Sequence, residues 1–219
     1  DQYYGVPIST ESIALFYNKT LLEENGFDVA TTFEEVKAQG DVFNNAAENK
    51  FIMRFEAGNA YTMQFFLTAN GYQLFGADHT DPNAINFDSE EAIAGLEYFK
   101  SMQKYLPVPY ADLTTDTVEV EFGKGTVPYV IVGPWAISEI KNTADFEWGI
   151  TTIPTINGVQ PLTFSGNIIA SISAYTQHPD EARQVLEYMI SDEGLEILYK
   201  VRGAIPALQD PTVIDGLSD

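Results

Sequence analysis

Residues Gly125–Ile137 read GTVPYVIVGPWAI: a glycine turn, an unbroken apolar climb, then a Gly-Pro stop followed by tryptophan. Val127, Tyr129, Val130, Ile131 and Val132 have the continuous apolar character of a strand buried on both faces, not the alternation of a half-buried one. Gly133 and Pro134 end that strand and allow a helix to begin. The stretch therefore sets Trp135 where a central strand hands over to a helix, which is where open α/β proteins hold their ligands. The same position suits a core residue that caps a helix, and both readings stand at this point.

Upstream of this strand, Tyr3 to Ile8 is short and β-prone, and Pro7 suits it to an edge or crossing strand. Ser12 to Tyr17 reads as a second strand, turning at Asn18 into a short helix, Lys19 to Asn25, closed by Gly26. Asn18-Lys19-Thr20 matches a glycosylation acceptor, a triplet that also arises by chance. Thr32 and Glu35 form a capping-box pair that predicts a helix from Phe33 to about Ala47. Lys50 to Phe55 returns as a strand. Asn59 can cap a helix carrying Tyr61, Phe65, Phe66 and Leu67, ended by Asn70-Gly71. Tyr61 and Phe65 share one face of it, as a core stripe or as a ligand surface.

Residues 75–87 read as a surface loop. Asp78, Thr80 and Asp81 hint at a calcium loop, but Pro82, Asn83 and Ser89 occupy positions where that motif needs a ligand, a glycine and a glutamate. Asp88 and Glu91 then open a helix from Ser89 to Lys104, with Ala92, Ile93, Leu96, Phe99 and Met102 at helical spacing. A shorter helix is expected over Thr115–Phe122. Gly123-Lys124-Gly125 lacks the flanking residues of a phosphate loop and reads as a turn.

Downstream, Ala136–Asn142 should be helical, Trp148–Ile153 a strand, and residues 155–166 a loop. Asn167–Ser173 is strand-like. Pro179 suits the first turn of a helix through Ala182, Val185, Leu186, Met189 and Ile190. Asp192 caps another helix, Glu193–Lys200, and the tail after Gly203 reads as coil. The pattern is βα alternation with a composition change near residues 154–166, a hinge or domain boundary.

The 219 residues can bury a real core as one large domain or two small ones. Apolar content of 45%, with 14 Phe and 12 Tyr, is that of a globular chain. Against 11 Lys and Arg stand 32 Asp and Glu, a net charge of -21 that argues against a nucleic-acid backbone as partner. The acids are dispersed, which fits solubility better than a cationic ligand. Without cysteine, neither disulfides, thiolate metal sites nor a cysteine nucleophile can form.

Enzyme constellations find little support. His79 and His178 lie outside any metal-ligand spacing. Ser165, in Phe164-Ser165-Gly166, lacks the upstream glycine and the strand-to-helix setting of a nucleophile elbow. A carboxylate pair that includes Glu11 can be drawn, as in a glycoside-processing enzyme, but with so many acids the pairing is unspecific. Carbohydrate binding fits the aromatics better. Sugar rings present flat C–H faces to Tyr and Trp, and their hydroxyls hydrogen-bond carboxylates and amides. Tyr61, Trp135 and Glu11 all fall near predicted element boundaries.

Four stretches together resemble the extracytoplasmic solute-binding proteins of ABC sugar importers, and within them the maltose- and maltodextrin-binding group. They are YYGVPISTESIALFYNK (Tyr3–Lys19), the segment around Tyr61 and Asn70-Gly71, Phe122–Gly125 running on to Gly133-Pro134-Trp135, and Pro179 through Ser191-Asp192-Glu193-Gly194. The resemblance implies an α/β, two-lobe, type II periplasmic-binding-protein-like fold, of which this chain holds mainly the second lobe. It places residues 8–147 in that lobe and 148–154 in an interlobe crossing strand. Residues 155–203 would return to the first lobe, and 204–219 would head back towards the second. A complete relative would carry about a hundred residues of first lobe ahead of this stretch, and a closing helical segment after it.

By the same resemblance the protein is non-enzymatic. It would bind a maltose- or maltodextrin-type oligosaccharide in an interlobe cleft and deliver it to a membrane permease, with no cofactor and no metal. Glu11 corresponds to the family's acceptor of sugar hydroxyls, Tyr61 and Trp135 to its stacking rings, and Asn59 to a position where relatives often carry a carboxylate. Asn59, and Thr62 in place of an aromatic, depart from the maltose pattern. The implied location is extracytoplasmic, lipid-anchored or periplasmic, with anchor and signal outside this stretch. Other readings stay open: a different oligosaccharide, a glycoside-processing enzyme, or an inert fragment with its aromatics in the core. Without its usual partners the apolar strand Asn167–Ser173 should be unusually exposed or should self-associate through residues 155–203.

Overall fold

A computed structural model describes residues 4–107, 109–208, 210 and 214. In chain order the first elements are β1 (Val6–Ser12), β2 (Ala14–Asn18), α1 (Lys19–Glu24), α2 (Phe33–Phe43), β3 (Met53–Phe55), α3 (Ala60–Met63) and α4 (Phe65–Thr68). There follow α5 (Glu90–Ser101), α6 (Thr115–Gly123), β4 (Tyr129–Val132), α7 (Ile137–Thr143), β5 (Trp148–Thr151), β6 (Ser165–Ala170), α8 (Pro179–Met189), α9 (Asp192–Arg202) and β7 (Ile205–Pro206). The described residues fall into two compact units, one drawn from residues 13–132 and 139–164, the other from residues 4–12, 133–138 and the described part of the chain after 164.

The larger unit is built on a four-stranded sheet of order β3-β4-β2-β5, with β4 parallel to β3 and antiparallel to β2. As its composition dictates, β4 is buried on both faces, from Tyr129 through Val132. The Tyr129 hydroxyl donates to Gln39 Oε1 and accepts from the Ala30 amide, both at 2.9 Å, tying α2 and the turn before it to the sheet. Phe33, Phe55, Phe65 and Phe66 pack beside it, with Phe65 and Phe66 at 4.2 Å between ring centres.

The capping box predicted for α2 is present: Thr32 Oγ1 accepts from the Glu35 amide at 3.0 Å and Glu35 Oε2 accepts from the Thr32 amide at 3.1 Å. Hydrogen bonds from Thr31 and Thr32 hold the Glu35 carboxyl below its ordinary range, the Thr31 amide foremost. The helix stops at Phe43, not near Ala47. Asn44 turns its backbone to an extended conformation and accepts the Ile52 amide on its side chain at 2.7 Å, a bond across the following turn that continuation of the helix would break. The helix expected from Asn59 onward is two short pieces, α3 and α4. On α5 only part of the apolar stripe is core: Ala92 is buried, whereas Ile93 and Leu96 are exposed.

In the smaller unit the order is β6-β1-β7, all antiparallel. Of the edge and crossing readings of β1, the edge one is corrected here, because β1 is the central strand of its sheet. It accommodates Pro7 through a register shift between Pro7 and Ser9, and β7 pairs only with Ser9 and Thr10, so the missing amide costs no ladder bond on that side. The tail, read as coil, supplies β7. Apolar side chains on this unit stay uncovered: Ile168 and Ile169 of β6 are exposed, none of α8 is fully buried, and Val201 of α9 is 71% exposed.

Contacts around residues 148–164 group as follows. Within residues 148–154, read as a crossing strand, Trp148–Thr151 pair along β2 in the larger sheet. Residues 155–164 stay with that unit: the Thr155 amide donates to the Thr31 carbonyl at 2.9 Å, and the Thr68 hydroxyl donates to the Leu162 carbonyl at 2.8 Å. Residues 8–12 and 133–138, expected in the second lobe, group with the smaller unit.

Burial pushes the Tyr129 phenol up to about 12. Because the folded value lies above the unfolded one near 10, this tyrosine stabilises the fold fully below pH 10, and the contribution, about 3 kcal/mol, is lost as pH rises towards 12. Tyr98, also raised by burial and by its bond to Glu34, adds to the same alkaline slope. Tyr129→Phe should lose about 1–3 kcal/mol at pH 7, where Ala30 and Gln39 lose a partner, yet show a shallower decline between pH 10 and 12. Urea melts of both proteins across that range check this.

Candidate functional site

The two candidate residues Glu11 and Trp135 come together in the smaller unit. Glu11 sits on β1 opposite Gly166 of β6. A Cβ at Gly166 would lie 3.0 Å from Glu11 Cγ and 3.3 Å from its Oε1, so the glycine leaves the space that the carboxylate fills. Trp135 follows the Gly-Pro stop in a short 3-10 turn, Pro134–Ala136. Its indole folds back over Gly133, where any Cβ would overlap the ring carbons, and it remains 37% exposed. Gly133 has φ -104, which any residue can adopt, so glycine is needed there for the ring and not for the backbone.

Both residues line a cavity of about 500 Å³. Ile168 and Leu198 give it apolar wall, while Ser138, Thr10 and Arg202 add hydroxyls and a guanidinium. A flat aromatic surface beside a carboxylate and hydroxyls suits a ligand with both C–H faces and hydroxyl groups.

The other two candidates, Asn59 and Tyr61, lie together in the larger unit and not in that cavity. Asn59 caps α3: Oδ1 accepts from the Tyr61 amide at 2.9 Å, and Nδ2 donates to Glu56 Oε2 at 3.0 Å. That same Glu56 oxygen accepts from Thr115 Oγ1 at 2.8 Å. Thr62 is buried and donates to the Glu56 carbonyl at 2.5 Å, so it fastens the turn and offers no ligand surface. The Tyr61 ring stacks on Phe164, with centres 5.7 Å apart and planes 12° from parallel.

Sequence reading missed Glu56, Arg202 and Phe164. Glu56 lies three residues before the Asn59 cap, a signal available but unused. Arg202 is one of only 11 basic residues in the chain. Phe164 was weighed only as part of a serine motif, and Ser165 in fact opens strand β6, so no nucleophile elbow forms there. Among the described residues no group of three or more His, Cys, Asp or Glu could hold a metal ion. In the loop that hinted at calcium, Asp81 Oδ1 instead accepts from the Asn83 amide at 2.9 Å. No helix among the described residues is long and apolar enough to cross a membrane.

Comparison with known proteins gives a consistent picture. A family model described as bacterial extracellular solute-binding protein matches residues 1–211. A maltooligosaccharide ABC transporter solute-binding lipoprotein of Streptococcus pneumoniae is 27% identical over 217 residues, 93% of this chain and 49% of the relative. A maltodextrin-binding protein of Bacillus subtilis is 28% identical over 212 residues, 93% of this chain and 50% of the relative. The chain thus spans about half the length of these curated relatives. Among solved structures, a cyclo/maltodextrin-binding protein complexed with maltotetraose superposes with a TM-score of 0.78 at 32% identity, covering 98% of this chain and 57% of that one.

Gly133→Ala should displace the indole of Trp135 while leaving the backbone allowed. In a Trp148→Phe background, which isolates this indole, the variant should shift the emission maximum and alter iodide quenching. Unchanged emission and quenching would contradict the close packing of the ring on Gly133.

Proposed function

The chain belongs to the bacterial extracellular solute-binding proteins, and from that premise we propose that it takes part in binding a maltodextrin-type oligosaccharide for delivery to the permease of an ABC importer. The observation that carries this reading is the placement of the Glu11 carboxylate and the Trp135 indole on one cavity. An oligosaccharide stacks the C–H face of one glucose on the indole, and a neighbouring hydroxyl donates to Glu11. Both interactions are non-covalent, and neither asks for a nucleophile or a cofactor. Tyr61 supplies a second aromatic surface, and Asn59, held by Glu56 and by its capping bond, orders the short helix that bears it.

The sugar class rests on two supports: the chemistry of these residues, and the names of the relatives, which bind maltooligosaccharides or maltodextrins. The same reading includes a permease partner and a location outside the cytoplasm, lipid-anchored or periplasmic; the ABC transporter lipoprotein among the relatives and the extracellular family support the partner and the extracytoplasmic part.

The test is a titration of the chain with maltose, maltotriose, maltotetraose and an unrelated disaccharide, followed by tryptophan fluorescence and calorimetry. Saturable binding of the maltodextrins should disappear in Trp135→Ala and weaken roughly tenfold or more in Glu11→Gln, which loses a charged acceptor. Mass spectrometry should recover the sugars unchanged. Cleaved products dependent on Glu11 would replace the receptor reading by a glycoside-processing one, and binding of the unrelated disaccharide alone would reassign the sugar.

A further inference from the structure

The Phe164 ring stacks on the Tyr61 ring from a separate segment of the chain. Tyr61 stands on α3, four residues long, whose order comes from the Asn59 cap and from Thr62 bonded back to Glu56. A helix that short has little rigidity of its own. Phe164, by contrast, ends a strap that is fastened along its length. Gln160 Nε2 donates to the Ile153 carbonyl at 2.8 Å. Thr68 Oγ1 donates to the Leu162 carbonyl at 2.8 Å and accepts from the Leu162 amide at 3.0 Å. Leu162 itself is 63% exposed, so at that point the hydroxyl pair, not apolar burial, fixes the strap to α4.

Resting on the proposed sugar reading, we propose that Phe164 is a positioning residue for the tyrosine platform: its ring occupies one face of Tyr61 and fixes the angle at which the tyrosine meets a glucose ring. The parallel ring pair restricts the tyrosine rotamer before ligand arrives. Pre-organisation of this kind lowers the ordering cost of binding without adding a contact to the sugar. Thr68 belongs to the same device, because its hydroxyl holds the strap that carries Phe164.

Calorimetric titration of the 219-residue chain with maltotriose tests this through a double-mutant cycle of Tyr61→Ala and Phe164→Ala. Phe164→Ala should weaken binding by roughly three- to tenfold, the range of an aromatic pair. Phe164→Tyr should restore it, and Phe164→Leu, similar in bulk but without a ring face, should not. Thr68→Val should weaken it in the same direction. In the Tyr61→Ala background the Phe164→Ala change should have no further effect. Thermal melts accompany each variant, and Phe164→Tyr keeps the test valid if the alanine variant folds poorly. Unchanged affinity in Phe164→Ala, or an equal loss in both backgrounds, would overturn the inference while leaving the sugar reading intact. If Tyr61→Ala binds as well as the parent, or if the parent binds no sugar, the platform reading fails and this inference fails with it.

Discussion

A strand with no solvent face imposes more on its neighbours than any other element of this chain. Tyr129–Val132 must be met by apolar groups above and below, and its backbone must find partners on both sides. The parallel pairing with β3 and the antiparallel pairing with β2 answer the second demand; the phenylalanines of α2, α4 and β3 answer part of the first. The Tyr129 hydroxyl reaches into this interior, and it is bonded as donor and as acceptor. With that strand fixed, the larger unit has its frame, and the chain leaves it at the Gly-Pro stop that precedes Trp135.

How a glycine makes room for a side chain differs between two positions. At Gly133 the absent side chain admits a ring that belongs to the same turn. At Gly166 it admits a carboxylate from the neighbouring strand. Each omission leaves room for a functional group to lie flat where a Cβ would push it outward. Neither requirement is conformational, so neither glycine can be read from turn rules alone.

This explains what the sequence could and could not tell. The strand at 129–132, the capping box of α2 and the proline start of α8 were legible because each depends on a few adjacent residues. The length of α2 was not, because Asn44 makes its decisive bond to Ile52 across a turn. The central place of β1 was hidden by Pro7, whose local rule favours an edge, while the register shift that excuses it appears only once β6 and β7 are paired. Glu11 and Trp135 were both singled out, but their sharing of a cavity is a long-range fact. Phe164 escaped notice because a stacked pair so far apart in sequence leaves no periodic trace. The comparisons supplied the family, which spacing alone left as a resemblance.

The two units also differ in how much apolar surface they withdraw from water. The larger encloses an aromatic core, whereas the smaller leaves β6, α8 and much of α9 open along their apolar residues. Cooperativity in unfolding comes from shared burial, and local opening is cheapest where burial is least. A chain built this way should unfold in more than one step. Its smaller unit should exchange its amides with solvent at low free-energy cost, well before the aromatic core gives way.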